Sequence, residues 1–446
     1  MISVRNHRQP LNGNRFLLIA LALFITFSSC DLLDKLPVKP HTDNPDGNDT
    51  IVVVNPVDTV TSEIDTVIKE GKIIRKKVYK IAIMLPFSID DSYINNFDYK
   101  DQTTPYHSLM STEMYEGMLL ALEDIDRGKG DFEIFVYDTK NSGTEIGRIL
   151  KIPELKTMDL IIGPLFKHNL ELVSAFSQQN KILMLSPLVS VSGLKHWNPY
   201  FIATNATLYS HMKSMAAFIG VQYPHHKVFI ISPSSGAENK YRDVMNEDLK
   251  STPKSYLDIH QISSNDGNDL SANEFSVFDT TIVIIPSNDE VFTHNALRTL
   301  NSENEEHPMI VFGMPNWLSK FNSIPYNYLN NLHFHFSSSL WINPDRKGAT
   351  SFNQRYSNTY GIYPSKYAVK GYDLMLWTTR LFHKYGISTK KHLNDISLAE
   401  MNCPFDLKAF DENNIPVAGH TNVNYYRNTY VHILRMNQYR LIKVNN

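Results

Sequence analysis

The chain has 446 residues and a formal net charge of −3, with acidic and basic residues interspersed. This balance gives no basic footprint for nucleic acid, so nucleic-acid binding is excluded as a function class. The chain has two cysteines, Cys30 and Cys403. They are too few for a disulfide-held scaffold, so a large hydrophobic core must stabilise the fold.

The first 29 residues have the order of features that a secretory signal requires. A basic segment precedes the apolar run 16–27, which is too short to span a bilayer comfortably. The run is followed by Ser28, Ser29 and Cys30, which resemble a lipobox. We predict a signal peptide over 1–29 and a lipid on Cys30 that anchors the protein in the periplasm, to the outer membrane in preference to the inner one. An uncleaved signal anchor and a plain signal peptide are the alternatives.

The next segment, 30–77, differs in composition from the rest of the chain. Residues 31–50 are rich in Asp, Asn, Pro and Gly, and a short valine-rich run follows among polar residues. This composition is typical of a flexible linker. We therefore predict a tether over 30–77, followed by about 370 residues, which is enough for two domains of ordinary size.

From Val78 onward, short β-branched runs alternate with stretches of helical periodicity, as in βαβ units with parallel sheets. The predicted strands are 80–86, 132–137, 159–163, 182–186, 227–232, 256–260, 281–286, 309–313 and 332–336. This number fits two sheets better than one large sheet. The predicted helices include 114–125, 169–178 and 367–385. The segment 424–444 is expected to form antiparallel strands joined near Asn437.

Several short motifs occur in the order found in one known family. They are Glu116-Gly117, Tyr137-Asp138, Gly163-Pro164, Ser186-Pro187, the stretch 199–204 and Gly371-Tyr372-Asp373. Together they resemble the leucine/isoleucine/valine-binding family of type I periplasmic binding proteins. The resemblance implies two doubly wound, Rossmann-like α/β lobes around a cleft, joined by three crossovers. It places lobe one at 78–206 and 343–400, and lobe two at 207–342 and 401–446.

The candidate ligand site consists of loops at the carboxyl ends of the strands, where open α/β sheets bind ligands. The candidate ligand-binding residues are Phe166, Lys167, Ser186, Ser190, Ser234, Asn288, Asn316 and Trp317. The resemblance implies that hydroxyls near Ser186 and Ser190 hold the carboxylate of an amino acid, and that an acid in lobe two holds its ammonium. The loop 314–317 contains no acid. Because a buried ammonium without a counter-charge is costly, a simple amino acid is disfavoured, and Lys167 and Trp317 would suit an anionic or planar ligand.

Enzyme motifs are absent from the sequence, which has no G-x-S-x-G elbow, no P-loop and no H-E-x-x-H. We predict no enzymatic activity and no cofactor. His333 and His335 are expected to share one strand face, where a zinc pair is conceivable, and Asp90 and Asp91 could chelate a cation. A polar strand face and solvated loop acids are the simpler interpretations, so no metal site is predicted.

Two functions from different classes fit these observations. The first is a lipid-anchored binding protein that holds a small solute for an ABC permease or reports it to an envelope partner. The second is an interaction module that resembles the activator lipoproteins of penicillin-binding proteins, which serve peptidoglycan synthesis. The near-complete set of strand-end motifs favours the first. The long loop 87–107, which could block or alter the cleft, favours the second.

Overall fold

The computed structural model describes residues 2–4, 76–89, 105–125, 130–234, 236, 239–253, 255–321, 324–342, 347–396, 404–419 and 422–445. Cys30, Cys403, Asp90, Asp91 and most of the predicted leader, tether and long first loop lie outside these residues. The strands are β1 Ile2–Val4, β2 Val78–Leu85, β3 Asp131–Asp138, β4 Leu160–Ile162, β5 Leu183–Ser186, β6 Phe201–Ala203, β7 Lys227–Pro233, β8 Asp258–Ser264, β9 Thr281–Ile284, β10 Met309–Phe312, β11 His335–Ser338, β12 Leu407–Phe410, β13 Pro416–Val417, β14 Tyr425–Asn428, β15 His432–Asn437 and β16 Arg440–Lys443. The α-helices are α1 Tyr106–Glu123, α2 Gly143–Ile149, α3 Leu170–Asn180, α4 Leu208–Gln222, α5 Asn239–Lys250, α6 Glu290–Glu303, α7 Trp317–Lys320, α8 Tyr326–Asn331, α9 Lys347–Tyr360 and α10 Lys366–Tyr385.

The described strands form two sheets, which confirms the two-lobed α/β prediction. The first has the order β1-β3-β2-β4-β5-β6-β14-β12-β13, and the second has the order β16-β15-β11-β10-β9-β7-β8. Strands β2 to β6 are mutually parallel, as are β7 to β11. Antiparallel pairs occur at the margins, where β1 pairs with β3, β12 with both of its neighbours, and β15 with β11 and β16.

Each sheet is covered by apolar side chains on both faces, as a doubly wound fold requires. In β2, Ile81 and Ile83 pack in a cluster with residues of α1 and α10, whereas Ala82 and Met84 pack in another with residues of α2 and α3. The second sheet shows the same alternation, with separate clusters on its two faces. The cores therefore lie between sheet and helices in both lobes. Among the described residues, no helix has the length and apolar character needed to cross a membrane.

The third crossover falls later than the sequence predicts. Residues 401–446 are expected in lobe two, but β12, β13 and β14 belong to the first sheet, and only β15 and β16 join the second. Strand β14 pairs in parallel with β6, and all four of its residues are buried. A strand buried on both faces has to lie inside a sheet, which explains why it enters the first one. The chain crosses at 429–431.

Three other differences concern element boundaries. Helix α1 begins at Tyr106 instead of Met114, and β8 begins at Asp258. Strand β11 begins at His335, because His333 has a φ of 45° and interrupts the extended backbone. His333 and His335 therefore do not share a strand face. The hairpin predicted near Asn437 is confirmed, since β15 pairs with β16 there.

Helices α1 and α10 are in backbone contact at two glycines. A Cβ at Gly117 would lie 1.9 Å from the carbonyl oxygen of Ala368, and a Cβ at Gly371 would lie 2.0 Å from that of Met114. No real Cβ approaches an oxygen so closely, so each glycine is required by its neighbour. These are the glycines of the Glu116-Gly117 and Gly371-Tyr372-Asp373 motifs, and the contact gives a physical reason for both.

We expect Gly371→Ala to destabilise the protein by about 1–3 kcal/mol, because the added methyl group forces the two helices apart. Urea unfolding of the purified protein measures this loss. The matched control is Gly147→Ala, since Gly147 lies inside α2 and no atom lies within 4 Å of the position that its added methyl group would take. That substitution should stabilise the helix by about 0.5–1 kcal/mol. Equal stabilities of the two variants would contradict the close contact.

Candidate functional site

In lobe one, the loop after β5 is held by two hydroxyl groups, one of which, that of Ser186, the sequence assigns to a ligand. Ser186 is fully buried, and its Oγ donates a hydrogen bond of 2.9 Å to the carbonyl oxygen of Pro164. Thr204, at the end of β6, donates through its Oγ1 to the carbonyl oxygens of Ser186 and Pro187, at 3.1 Å each. Ser186 therefore ties two strand-end loops together, and its hydroxyl proton is already used.

The other lobe-one candidates lie nearer to solvent. Lys167 and Ser190 are exposed, whereas Phe166 is half-buried and packs against the core of the lobe. The Phe166 ring stacks on the ring of His168 with 6.1 Å between centroids. These residues give the rim of the loops a cation, a hydroxyl and an aromatic pair, but no buried hydrogen-bonding group that would fix a carboxylate.

In lobe two, Ser234 and Asn288 follow β7 and β9. Ser234 is exposed, and its Oγ donates to Oδ1 of Asn265 at 2.6 Å. Asn288 is half-buried. The adjacent acid, Asp289, caps α6, because its Oδ1 accepts a hydrogen bond of 3.0 Å from the backbone N–H of Phe292. The nearest carboxylate in this loop is thus engaged with a helix end.

The structure places Trp317 in the core of lobe two and not in a cleft. Its side chain is 1% exposed and stacks on Phe334 with 5.4 Å between ring centroids. The indole N–H donates a hydrogen bond of 2.8 Å to the carbonyl oxygen of Ser287. Trp317 therefore fastens the loop after β10 to the loop after β9. Asn316 is half-buried beside it, and its shielded Oδ1 has no hydrogen-bond donor among the described residues.

The first and third crossovers meet at one carbonyl group. The carbonyl oxygen of Thr204 accepts hydrogen bonds from Nζ of Lys370, at 3.2 Å, and from Nδ2 of Asn428, at 3.3 Å. Lys370 lies on α10, is 0% exposed, and holds its ammonium 4.9 Å from the ring centroid of Phe405. A buried ammonium needs such partners, since its charge is costly without them. Lys370 is absent from the residues that the sequence predicts to be functional.

A buried histidine holds the start of lobe two against the second crossover. His211 on α4 lies 2.9 Å from Ser337 Oγ through Nδ1 and 2.9 Å from Ser339 Oγ through Nε2. Burial lowers the pKa of His211 to about 4, so the ring is neutral at pH 7. A neutral imidazole has one donor and one acceptor nitrogen, which matches two hydroxyl partners.

Taken together, these contacts unite Ser186 with the loop after β4, and Trp317 with the loop after β9. They leave Lys167, Ser190 and Ser234 exposed on separate loops. Among the described residues, no group of three or more His, Cys, Asp or Glu side chains is arranged to hold a metal ion.

The fold and its strand-end loops define a class, the two-lobed α/β binding proteins whose chain crosses three times between lobes. A model of the periplasmic binding protein family matches residues 100–402, which is more than half of the chain. The chain belongs to this family, in its type I branch. No curated protein matches the sequence.

Solved structures from three bacteria share the fold. An ABC transporter substrate-binding protein from Desulfitobacterium hafniense in complex with Leu is 14% identical, with a TM-score of 0.50 over 82% of this chain and 100% of that one. A branched-chain amino acid ABC transporter periplasmic ligand-binding protein from Burkholderia xenovorans is 12% identical, with a TM-score of 0.53 over 82% and 94%. The LpoA C-domain from Haemophilus influenzae, a regulator of PBP1A, is 11% identical, with a TM-score of 0.51 over 82% and 100%.

We expect Lys370→Met to destabilise the protein by about 1–3 kcal/mol, because the Thr204 carbonyl loses a charged donor in a buried position. Hydrogen exchange should also become faster at the amides of 205–207, next to that carbonyl. Lys366→Met is the control, since Lys366 is an exposed lysine one turn earlier on the same helix. Unchanged exchange at 205–207 in Lys370→Met would show that the ammonium does not hold the crossover.

The buried ring of His211 should make the protein less stable in acid. Its pKa falls from 6.5 to about 4 on folding, so between these values the unfolded chain binds a proton that the folded chain does not. Stability is complete above pH 6.5 and falls as the pH drops, by up to about 1.4 kcal/mol per pH unit from this group. His211→Gln removes this titrating group, so between pH 4 and 6.5 the free energy of unfolding should change less steeply with pH, by up to about 1.4 kcal/mol per pH unit. A slope in His211→Gln equal to that of the wild type would contradict this prediction.

Proposed function

We propose that this chain is a lipid-anchored protein of the bacterial envelope that uses the periplasmic binding fold to contact another envelope protein. The class of partner that we favour is an enzyme of peptidoglycan synthesis. One observation carries this proposal: the polar groups at the strand ends are turned inward to hold loops. The Ser186 hydroxyl is bonded to Pro164, and the Trp317 indole is buried against Ser287.

An amino-acid ligand would need these groups to face the cleft. Its carboxylate requires hydroxyl and N–H donors, and its ammonium requires an acid. The loop 314–317 has no acid, and Asp289 in the neighbouring loop caps a helix. The fold shared with the LpoA C-domain, a regulator of PBP1A, supports a protein partner as a use of this scaffold. Because that likeness is one of fold alone, the identity of the partner of this chain is our proposal.

Solute binding for an ABC permease or for sensing is the second candidate, and the crossovers favour it. Each crossover is fastened at one end, the first and third at Thr204 by Lys370 and Asn428, and the second at Ser337 and Ser339 by His211. Connections that start from a fastened residue are suited to hinge closure around a ligand. A solute held this way would be recognised through Lys167, Ser190 or Ser234 at the loop rim, and would not be a simple amino acid.

A thermal-stability screen separates the two candidates. The mature protein is tested against free amino acids, short peptides, nucleotides and muropeptides. We expect no stabilisation by leucine, isoleucine or valine, whereas a true ligand at a hundredfold excess over its Kd adds about 2.7 kcal/mol of stability. Such stabilisation by an amino acid, a short peptide or a nucleotide would favour the solute candidate and sink the proposal of a protein partner.

A second experiment tests for the protein partner by photo-crosslinking in living cells, with a crosslinker at Ser190 on the loop rim. We expect a covalent adduct with a peptidoglycan enzyme, and no such adduct from a crosslinker at Tyr256, which is exposed on lobe two just before the amino end of β8. Cys30→Ser serves as the control for anchoring. It should release the protein from the membrane fraction and abolish the adduct if the lipid brings the two proteins together.

A further inference from the structure

The second lobe contains a cavity of about 340 Å³ away from the strand-end loops. It lies where β9 and β10 begin, and Thr280 and Met309 line it there. Ligands of this fold class meet the opposite, carboxyl ends of the strands, so the cavity is separate from the candidate site described above. Its volume is in the range of pockets that hold small molecules.

Arg435 supplies a positive charge to this cavity. It lies on β15 directly opposite His335 on β11, so the two side chains share one face of the sheet. Arg435 is half-buried, and its Nε is shielded from solvent without an acceptor among the described residues. The guanidinium forms no ion pair with any carboxylate in the described parts of the chain. A shielded donor of a charged group is costly to leave without an acceptor.

His335 is arranged as a neutral group beside this charge. Its ring is 1% exposed and stacks on Phe312 with 4.6 Å between centroids. Burial lowers the pKa of His335 to about 3. Nδ1 lies 2.6 Å from the carbonyl oxygen of His333, which can only accept, so Nδ1 carries the proton and Nε2 is an acceptor. His335 therefore contributes a fixed dipole to the cavity and no second positive charge.

The walls of the cavity are held in place by hydrogen bonds. Asn304 accepts from the backbone N–H of Met309 at 3.1 Å and donates to the carbonyl oxygen of Asn331 at 3.2 Å. His333, with its φ of 45°, is in a backbone conformation that costs free energy in a residue other than glycine. That conformation turns its carbonyl toward His335 and leaves its own ring exposed at the cavity rim. The site is thus formed before any ligand arrives.

We propose that this cavity binds a small anion through the guanidinium of Arg435. The planar fork of a guanidinium matches two oxygens of one carboxylate or one phosphoryl group, which makes these the ligand chemistry. Thr280 and His333 lie around the same cavity and can donate to the remaining oxygens. The site is independent of the proposed function, because it does not use the strand-end loops or a protein partner.

The test is calorimetric titration of the full-length protein with inorganic phosphate in one arm and with acetate and succinate in the other. The tighter arm identifies the phosphoryl or the carboxylate source. We expect saturable binding, reduced at least tenfold in Arg435→Met and partially in Arg435→Lys, which keeps the charge and loses the fork. The matched control is Lys390→Met, because a second cavity of about 340 Å³ is lined by Lys390, Lys391 and Lys408. Its affinity should equal that of the wild type.

A second readout keeps the test valid if Arg435→Met does not fold. In the wild-type protein with nitrogen-15 labelled histidines, the ring signals of His333 and His335 should shift on saturation with the tighter anion, while those of His225 stay in place. The proposal is overturned if no probe binds saturably, if Arg435→Met binds as tightly as the wild type, if Lys390→Met abolishes binding, or if the His333 and His335 signals do not move.

Discussion

The contact between the backbones of α1 and α10 is the constraint on which the arrangement of the first lobe depends. Gly117 and Gly371 let the two helices touch, and this contact sets the height of α10 over the sheet. At that height the residue before Gly371, which is Lys370, reaches the Thr204 carbonyl where the chain leaves the lobe. A helix held one side-chain layer further out would leave this ammonium in the core without its oxygen. The packing of α1 against α10 therefore also determines how the chain is held where it leaves the first lobe.

The scaffold and the strand-end loops carry different information about function. The two sheets and the three crossovers belong to the periplasmic binding fold. The loops, in contrast, use their hydroxyl and indole groups to bind one another, as Ser186 and Trp317 show. Such a protein keeps a rigid framework, but few hydrogen-bonding groups of its strand-end loops are available to an amino-acid ligand. That is the physical basis for preferring a protein surface as the ligand of the loop rim.

Much of the fold could be predicted from local patterns, and the failures have physical causes. The central strands are short apolar β-branched runs, so their positions can be predicted from the sequence. The sequence predicts Trp317 in a cleft because it follows a strand end, but it does not show that Gly313 leaves room for the indole against the core. Lys370 stands four, seven and eleven residues before the buried Leu374, Trp377 and Leu381, which is an apolar stripe with a charge at its head. This pattern can be seen in the sequence, but the role of Lys370 follows only from its hydrogen bond to the Thr204 carbonyl oxygen in the folded protein.

The convergence of two crossovers on Thr204 also gives two connections a common origin. Both Lys370 and Asn428 donate to the same oxygen, so that atom is a fixed point shared by the first and third connections. Thr204, Asn428 and Lys370 all lie in lobe one, so both hydrogen bonds persist whichever way lobe two moves. The first and third connections are thus expected to swing together from this point when the lobes open and close. Any change at Asn428 would then alter the swing of the first connection, more than 200 residues away in the sequence.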